Sequence, residues 1–213
     1  MLIKRFKKVA YLVLATMISS AQAGSYEDFF VALKNDNAGE VTDLLRRGFD
    51  PNTVDAKGQP GLTVAMREQS LKAARVLLSQ PALNVDALNQ AGESALMMAA
   101  LKGNLAGLDM LLARGARISQ PGWSAIHYAA TGTEPQAVTL LLERGADVNA
   151  LSPNGSTPLM MAAQYGAEDS VKILLARGAD ARLRNQRELR AVDFARQAGR
   201  ESLTRMLDKL PQQ

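Results

Sequence analysis

His127 is the only histidine in a chain of 213 residues that has no cysteine. Metal centres built from His/Cys clusters, and Cys–His or multi-His catalysis, are therefore excluded. A Ser-His-Asp relay would have to run through His127. Most of the glycines recur at the repeat interval instead of in the spacing of a phosphate-binding loop or a dinucleotide fingerprint. Carboxylate pairs occur by composition, and none is set in a distinctive local motif. Asn154-Gly155-Ser156 has the form of a glycosylation sequon, but it also reads as a tight turn, and we take it as the turn. No cofactor, metal or enzymatic activity is expected. The chemistry left is recognition.

The elements that position such a surface are clearest between Asn154 and Asp180. After the Asn154-Gly155 turn, Thr157 is a good helix N-cap and Pro158 suits the first helical position, which needs no N–H. Leu159, Met161, Ala162 and Ala163 run through a short helix that stops near Gly166. In a second helix Val171, Leu174 and Leu175 stand at i, i+3, i+4. Gly178 closes it in the left-handed conformation, where a Cβ is costly.

This unit recurs. Gly92/Gly115, Gly122/Gly145 and Gly155/Gly178 are pairs with the same internal spacing, and Gly122 and Gly155 lie thirty-three residues apart. A period near 33 with two helices per copy is the ankyrin period. Thr157-Pro158-Leu159-Met160 is similar to that family's Thr-Pro-Leu-His signature, as are Ser124-Ala125-Ile126-His127 and, more loosely, Ser94-Ala95-Leu96-Met97. Gly145-Ala146-Asp147-Val148-Asn149-Ala150 matches its helix-exit phrase. The chain thus resembles ankyrin-repeat proteins of an exported bacterial type. The resemblance implies an all-α solenoid of about six helix pairs with short β-turn fingers, and a histidine at position 127 that ties adjacent repeats.

The N-terminus reads as an address. Lys4, Arg5, Lys7 and Lys8 precede an apolar run from Val9 to Ile18, and Ala21-Gln22-Ala23 has the Ala-x-Ala form of a signal-peptidase site. The run is short against the ~20 residues that cross a bilayer. Residues 1–23 are expected to be cleaved, leaving residues 24–213 as one periplasmic domain without a membrane anchor, in a Gram-negative bacterium. The absence of cysteine suits an oxidising compartment. Four of the 25 Lys and Arg lie in residues 1–23, which hold no Asp or Glu, so 21 basic face 21 acidic residues in the remainder. That balance disfavours nucleic acid as a partner. Acidic residues (Glu27, Asp28, Asp36, Glu40, Asp43) gather at one end and arginines (Arg182 to Arg205) at the other, as polar caps or as a handle for a partner.

The expected units are 26–52, 55–87, 89–117, 119–149, 152–182 and 185–210. The second is degenerate, with Pro60-Gly61 replacing the usual cap. Seven steps separate Gly115 from Gly122 against ten between Gly145 and Gly155, so one finger is cut short by three residues.

In the family this resembles, finger tips and first helices line a concave groove that chooses a protein partner. Position by position the resemblance offers Lys57, Gln59, Arg67 and Glu68, then Glu93, Leu101 and Lys102, then Trp123 and Thr131, then Asn154, Ser156, Gln164 and Tyr165. Gln186, Leu189 and Gln197 extend the series. Trp123 reads as an interface anchor or as packing over the shortened finger, and Tyr165 as an outward contact. Lys102 and Arg67 can be solvated charges. Met97, Met98, Met160 and Met161 read as core filler or as an adaptable patch. The expected function is a monomeric, non-catalytic scaffold that binds another protein. Resemblance to exported proteins associated with periplasmic catalase suggests a part in peroxide resistance. The alternative is an inhibitor or immunity protein that neutralises a toxin or enzyme.

Overall fold

The computed structural model describes residues 24–210. Residues 1–23, expected to be a signal segment, lie outside the described residues. Twelve described helices form six pairs: α1 (24–34) with α2 (Ala38–Arg46), α3 (Gly61–Arg67) with α4 (Leu71–Leu78), and α5 (Ala95–Leu101) with α6 (Leu105–Ala113). Then come α7 (Ala125–Thr131) with α8 (Pro135–Glu143), α9 (Pro158–Gln164) with α10 (Glu168–Ala176), and α11 (Ala191–Gln197) with α12 (Glu201–Asp208). Among the described residues the one β-bridge joins Val54 to Pro60, and no helix is long and apolar enough to cross a membrane. The architecture is an all-α repeat solenoid.

Local chemistry sets the helix limits. Thr157 Oγ1 accepts from Met160 N at 3.3 Å, and Pro158 opens α9 as expected. Ser94 caps α5, and Asn37 and Asn104 cap α2 and α6 in the same way. Gly115, Gly145 and Gly178 exit the second helices at φ near +90°, where a side chain would be strained. Pro60-Gly61 has a packing reason. A Cβ at Gly61 would lie 2.9 Å from Phe29 and 3.0 Å from Leu33, so the capping pair has given way to close approach of the first unit.

Odd-numbered helices stack on one another, and each carries its even-numbered partner behind it. One continuous core results, from Phe29 and Leu33 through Leu77, Leu96, Leu111, Ile126, Leu141 and Leu159 to Leu207. Each such side chain is worth roughly 1.5–3 kcal/mol on burial, and no unit could bury its apolar face alone.

Polar ties cross the junctions on the loop side. Asn52 Oδ1 accepts from Asn84 N at 2.7 Å, Asp86 Oδ1 from Arg117 N at 2.9 Å, and Asn149 Oδ1 from Asp180 N at 2.9 Å. The equivalent place in unit three is Ser119, too short to reach unit four. The fingers share a second device. Asp55, Asn89 and Asn185 each fold a side-chain oxygen onto the two N–H groups two and four residues on. The shortened finger lacks it, and Gln120 Nε2 donates instead to the carbonyls of Trp123 (3.1 Å) and Gly92 (3.4 Å).

Candidate functional site

The face of the odd-numbered helices that packing leaves free is organised in rows, because equivalent residues of successive units lie side by side. The innermost row runs Val64, Met98, Tyr128, Met161, Phe194, of which Tyr128 and Met161 are partly exposed and the other three are buried, and the next runs Arg67, Leu101, Thr131, Gln164, Gln197. A third, at the helix ends, runs Glu68, Lys102, Gly132, Tyr165, Ala198. Tyr165 is 58% exposed at the C-cap of α9. Lys57, Glu68, Lys102, Asn154, Gln186 and Gln197 are also exposed, while Gln59, Arg67, Leu101, Thr131, Gln164 and Leu189 are half-buried. Arg67 Nη2 lies 3.9 Å from Met98 Sδ, and Thr131 Oγ1 donates to the carbonyl of His127 in its own helix.

Two of the expected contact residues are occupied internally. Ser156 is 1% exposed and cannot meet a partner; its hydroxyl accepts from Asn185 Nδ2, and its carbonyl faces His127. Glu93 accepts from Tyr128 Oη at 2.9 Å and from Asn89 Nδ2 at 2.7 Å, so its carboxylate ties unit three to unit four. Sequence reasoning passed over Tyr128. Burial, and then the Glu93 carboxylate, hold its phenol well above its ordinary pKa, so it remains a donor to Glu93.

His127 is 1% exposed. Its Nε2 donates to the carbonyls of Ala150 and Ser156, both at 3.1 Å and both in the next finger. With Nε2 as the donor, Nδ1 accepts from Ser124 N at 3.3 Å and lies 3.0 Å from Ser124 Oγ. Burial lowers its pKa below 6.5, against the opposing pull of the Ser156 and Ala150 carbonyls. The Ser124–His127 pair has the composition of a nucleophile and its base, but both side chains are buried and the far ring nitrogen is fixed by two carbonyls. It is a capping arrangement and a tie between repeats, as the resemblance implied.

Trp123 is half-buried, edge-on to His127 with ring centroids 5.3 Å apart at 80°. It stands where other fingers carry Gln59, Glu93, Ser156 or Leu189, and it packs on the ring that locks the following finger. Met97 and Met160 take the place of His127 in their own units, and each sulfur accepts the N-cap N–H (3.5 and 3.4 Å). Both methionines are core residues, whereas Met161 is partly exposed in the free row. Among the described residues no group of three or more His, Cys, Asp or Glu could hold a metal ion.

The family described as ankyrin repeats (3 copies) matches residues 29–121 and 117–185. The chain belongs to the ankyrin-repeat family. Its relatives include Protein glp-1 of Caenorhabditis elegans, 29% identical over 145 residues, covering 61% of this chain and 11% of the relative. The Nuclear factor NF-kappa-B p105 subunit of Gallus gallus is 33% identical over 143 residues, covering 64% and 14%. Potassium channel AKT1 of Arabidopsis thaliana is 39% identical over 175 residues, covering 66% and 20%. This ankyrin chain therefore spans a fifth or less of the length of these curated relatives. Among solved structures it is similar to a chain of the Bd0816 Predatory Endopeptidase from Bdellovibrio bacteriovorus in complex with immunity protein Bd3460. The TM-score is 0.74 at 24% identity, covering 86% of this chain and 98% of the other, a likeness of fold. An ankyrin solenoid implies a protein partner, and the family is typically non-catalytic.

Proposed function

We propose that this ankyrin protein is a non-catalytic module that binds a folded protein through the free face of units four and five. One observation carries the reading. In the three free rows those two units present Tyr128, Thr131, Met161, Gln164 and Tyr165 with no charged side chain, while the rows of units two and three hold Arg67, Glu68 and Lys102. A charge-depleted centre rich in tyrosine and methionine beside a charged rim is the make-up of a protein-binding hot spot. The test is crosslinked capture from the native host with wild-type protein beside a folded Met161→Ala/Tyr165→Ala variant. A partner held by the first and lost by the second supports the reading. A partner retained equally by both places binding elsewhere and sinks it.

The inhibitor reading is favoured by a specific observation. The fold neighbour comes from a complex of an endopeptidase with an immunity protein, and it matches in nearly its whole length. Tight one-to-one inhibition of an endopeptidase of the same host, lost in the double variant, would select it. Export rests on the pattern of residues 4–23, and an N-terminus other than Gly24 in protein recovered from the periplasm would refute the expected cleavage. A part in peroxide resistance rests on resemblance, and undiminished survival of a deletion strain in peroxide would remove it.

A further inference from the structure

The first two junctions of the solenoid close on equivalent places of the earlier unit, and the two ends of the described chain leave those places without a neighbouring unit. At the junction of units two and three a Cβ on Gly107 would lie 3.0 Å from Met66 Sδ. At the junction before it, Gly61 meets Leu33, which holds the same place in unit one as Met66 does in unit two. Unit one carries Glu40 where Gly107 stands and Asp28 where Gly61 stands, and the described chain has no unit ahead of them. The place of Leu33 and Met66 is taken by Ala100, Ala130 and Ala163 in turn, and then by Arg196 in the last unit. Thus the two positions that should receive a preceding unit are carboxylates, and the position that should meet a following unit is a guanidinium. Shallow concavities of about 300 and 250 Å³ mark the two faces, one including Asp28, Ala32 and Glu40, the other Arg196, Gly199 and Thr204.

We propose that a second copy of this chain stacks head to tail, so that Asp28 and Glu40 of one copy close on Arg196 of the next. Repeating the internal junction once more brings two further contacts into register. Asn37 falls over Gly199 as Glu134 falls over Gly103, and Gly199 has nothing within 4 Å of its Cβ direction. Arg47 stands where Arg114 reaches back to the carbonyls of Leu78 and Gln80 (3.0 and 3.2 Å), and it is therefore aimed at the last turn of α12. Within one copy Arg196 is held by Asp193 and Asp208, and Glu40 by Arg47 at 3.6 Å. These exposed pairs would be exchanged, and Arg205 and Lys209 flank the path of Arg47, so the contact is weak and salt-sensitive. The interface is heterologous and does not close on itself. This association is independent of the partner face proposed above.

The test is sedimentation velocity of the purified protein at rising concentration. In low salt the weight-average mass should climb above the monomer, and about 0.3 M salt should reduce the association about tenfold or more. Asp28→Lys/Glu40→Lys and Arg196→Glu, each checked for an unchanged helical circular dichroism spectrum, should each stay monomeric, and Arg196→Ala should weaken association without reversing charge. Mixing the first two should restore association, because each then offers the other a face of opposite charge. A wild type that remains monomeric in low salt at every concentration overturns the proposal. So does association unchanged in the variants, or a mixture that stays monomeric.

Discussion

Replacing His127 by methionine separates the two things its ring does. Methionine at the equivalent places, Met97 and Met160, still accepts the N-cap N–H through sulfur, so the start of α7 keeps its acceptor. What disappears is the Nε2 donor to the carbonyls of Ala150 and Ser156. One lost donor and two carbonyls deprived of it in a buried site cost about 1–3 kcal/mol. The substitution also removes the only histidine, and with it a pH dependence of known sign. Above the unfolded pKa of 6.5 both states are neutral at this residue. As pH falls below 6.5 the unfolded chain takes up a proton that the folded ring resists, because burial lowers its pKa. Stability is therefore lost at up to ~1.4 kcal/mol per pH unit until the folded pKa is reached. Urea unfolding of wild type and His127→Met, followed by circular dichroism and Trp123 fluorescence, measures both effects. The series is run at about pH 7.5, 6.5 and 5.5, which brackets the ordinary titration of histidine. The variant should be less stable at the highest pH and should lack the wild-type decline below 6.5. Equal stability at high pH, or the same decline in both proteins, would refute the assigned tautomer and the tie between repeats.

Three further outcomes are expected. Gly166→Ala directs its Cβ into the carbonyl of Ala130, a backbone contact that cannot swing away; it should cost about 1–3 kcal/mol, read as a fall of the thermal midpoint by several degrees. Met160→His should add the missing donor toward the carbonyls of Leu183 and Leu189, the counterparts of Ala150 and Ser156. A gain of about 0.5–1.5 kcal/mol in urea unfolding is expected, and a loss would show that the last finger is not positioned to accept it. Tyr165→Ala, at a residue 58% exposed, should change stability by less than about 0.5 kcal/mol while weakening capture of a groove partner about tenfold or more.

The helix pairs were legible because a glycine at fixed phase, a Ser/Thr/Pro helix start and an apolar stripe repeat in the sequence, and each has a local cause. His127 was legible for the same reason: its neighbours carry a recognisable phrase. Ser156 was misplaced because its position is outward-facing in the general pattern, whereas here the following finger folds over it through Asn185. Glu93 and Tyr128 are thirty-five residues apart in sequence, and no local signal announces such a pair. The finger device had a signal that could have been used: Asp55, Asn89 and Asn185 each stand three residues before the turn position held by Gly58, Gly92 and Glu188. The unusual Pro60-Gly61 could be seen as a departure, but its reason lies in the rings of unit one, and only packing reveals that.

The place left vacant by Ser119 has a mechanical consequence. The loop-side ties run through units one to three by way of Asn52 and Asp86, and resume from unit four by way of Asn149. Between them the rungs fall on the Tyr128–Glu93 and Arg144–Asp109 pairs and on the Gln120 side chain. Under tension applied at its two ends, load at the boundary of units three and four passes through these side-chain pairs and the stacking of α5 on α7, not through a tie to a backbone N–H as at Asn52, Asp86 and Asn149. Trp123 sits at that seam, so its fluorescence would report a parting there.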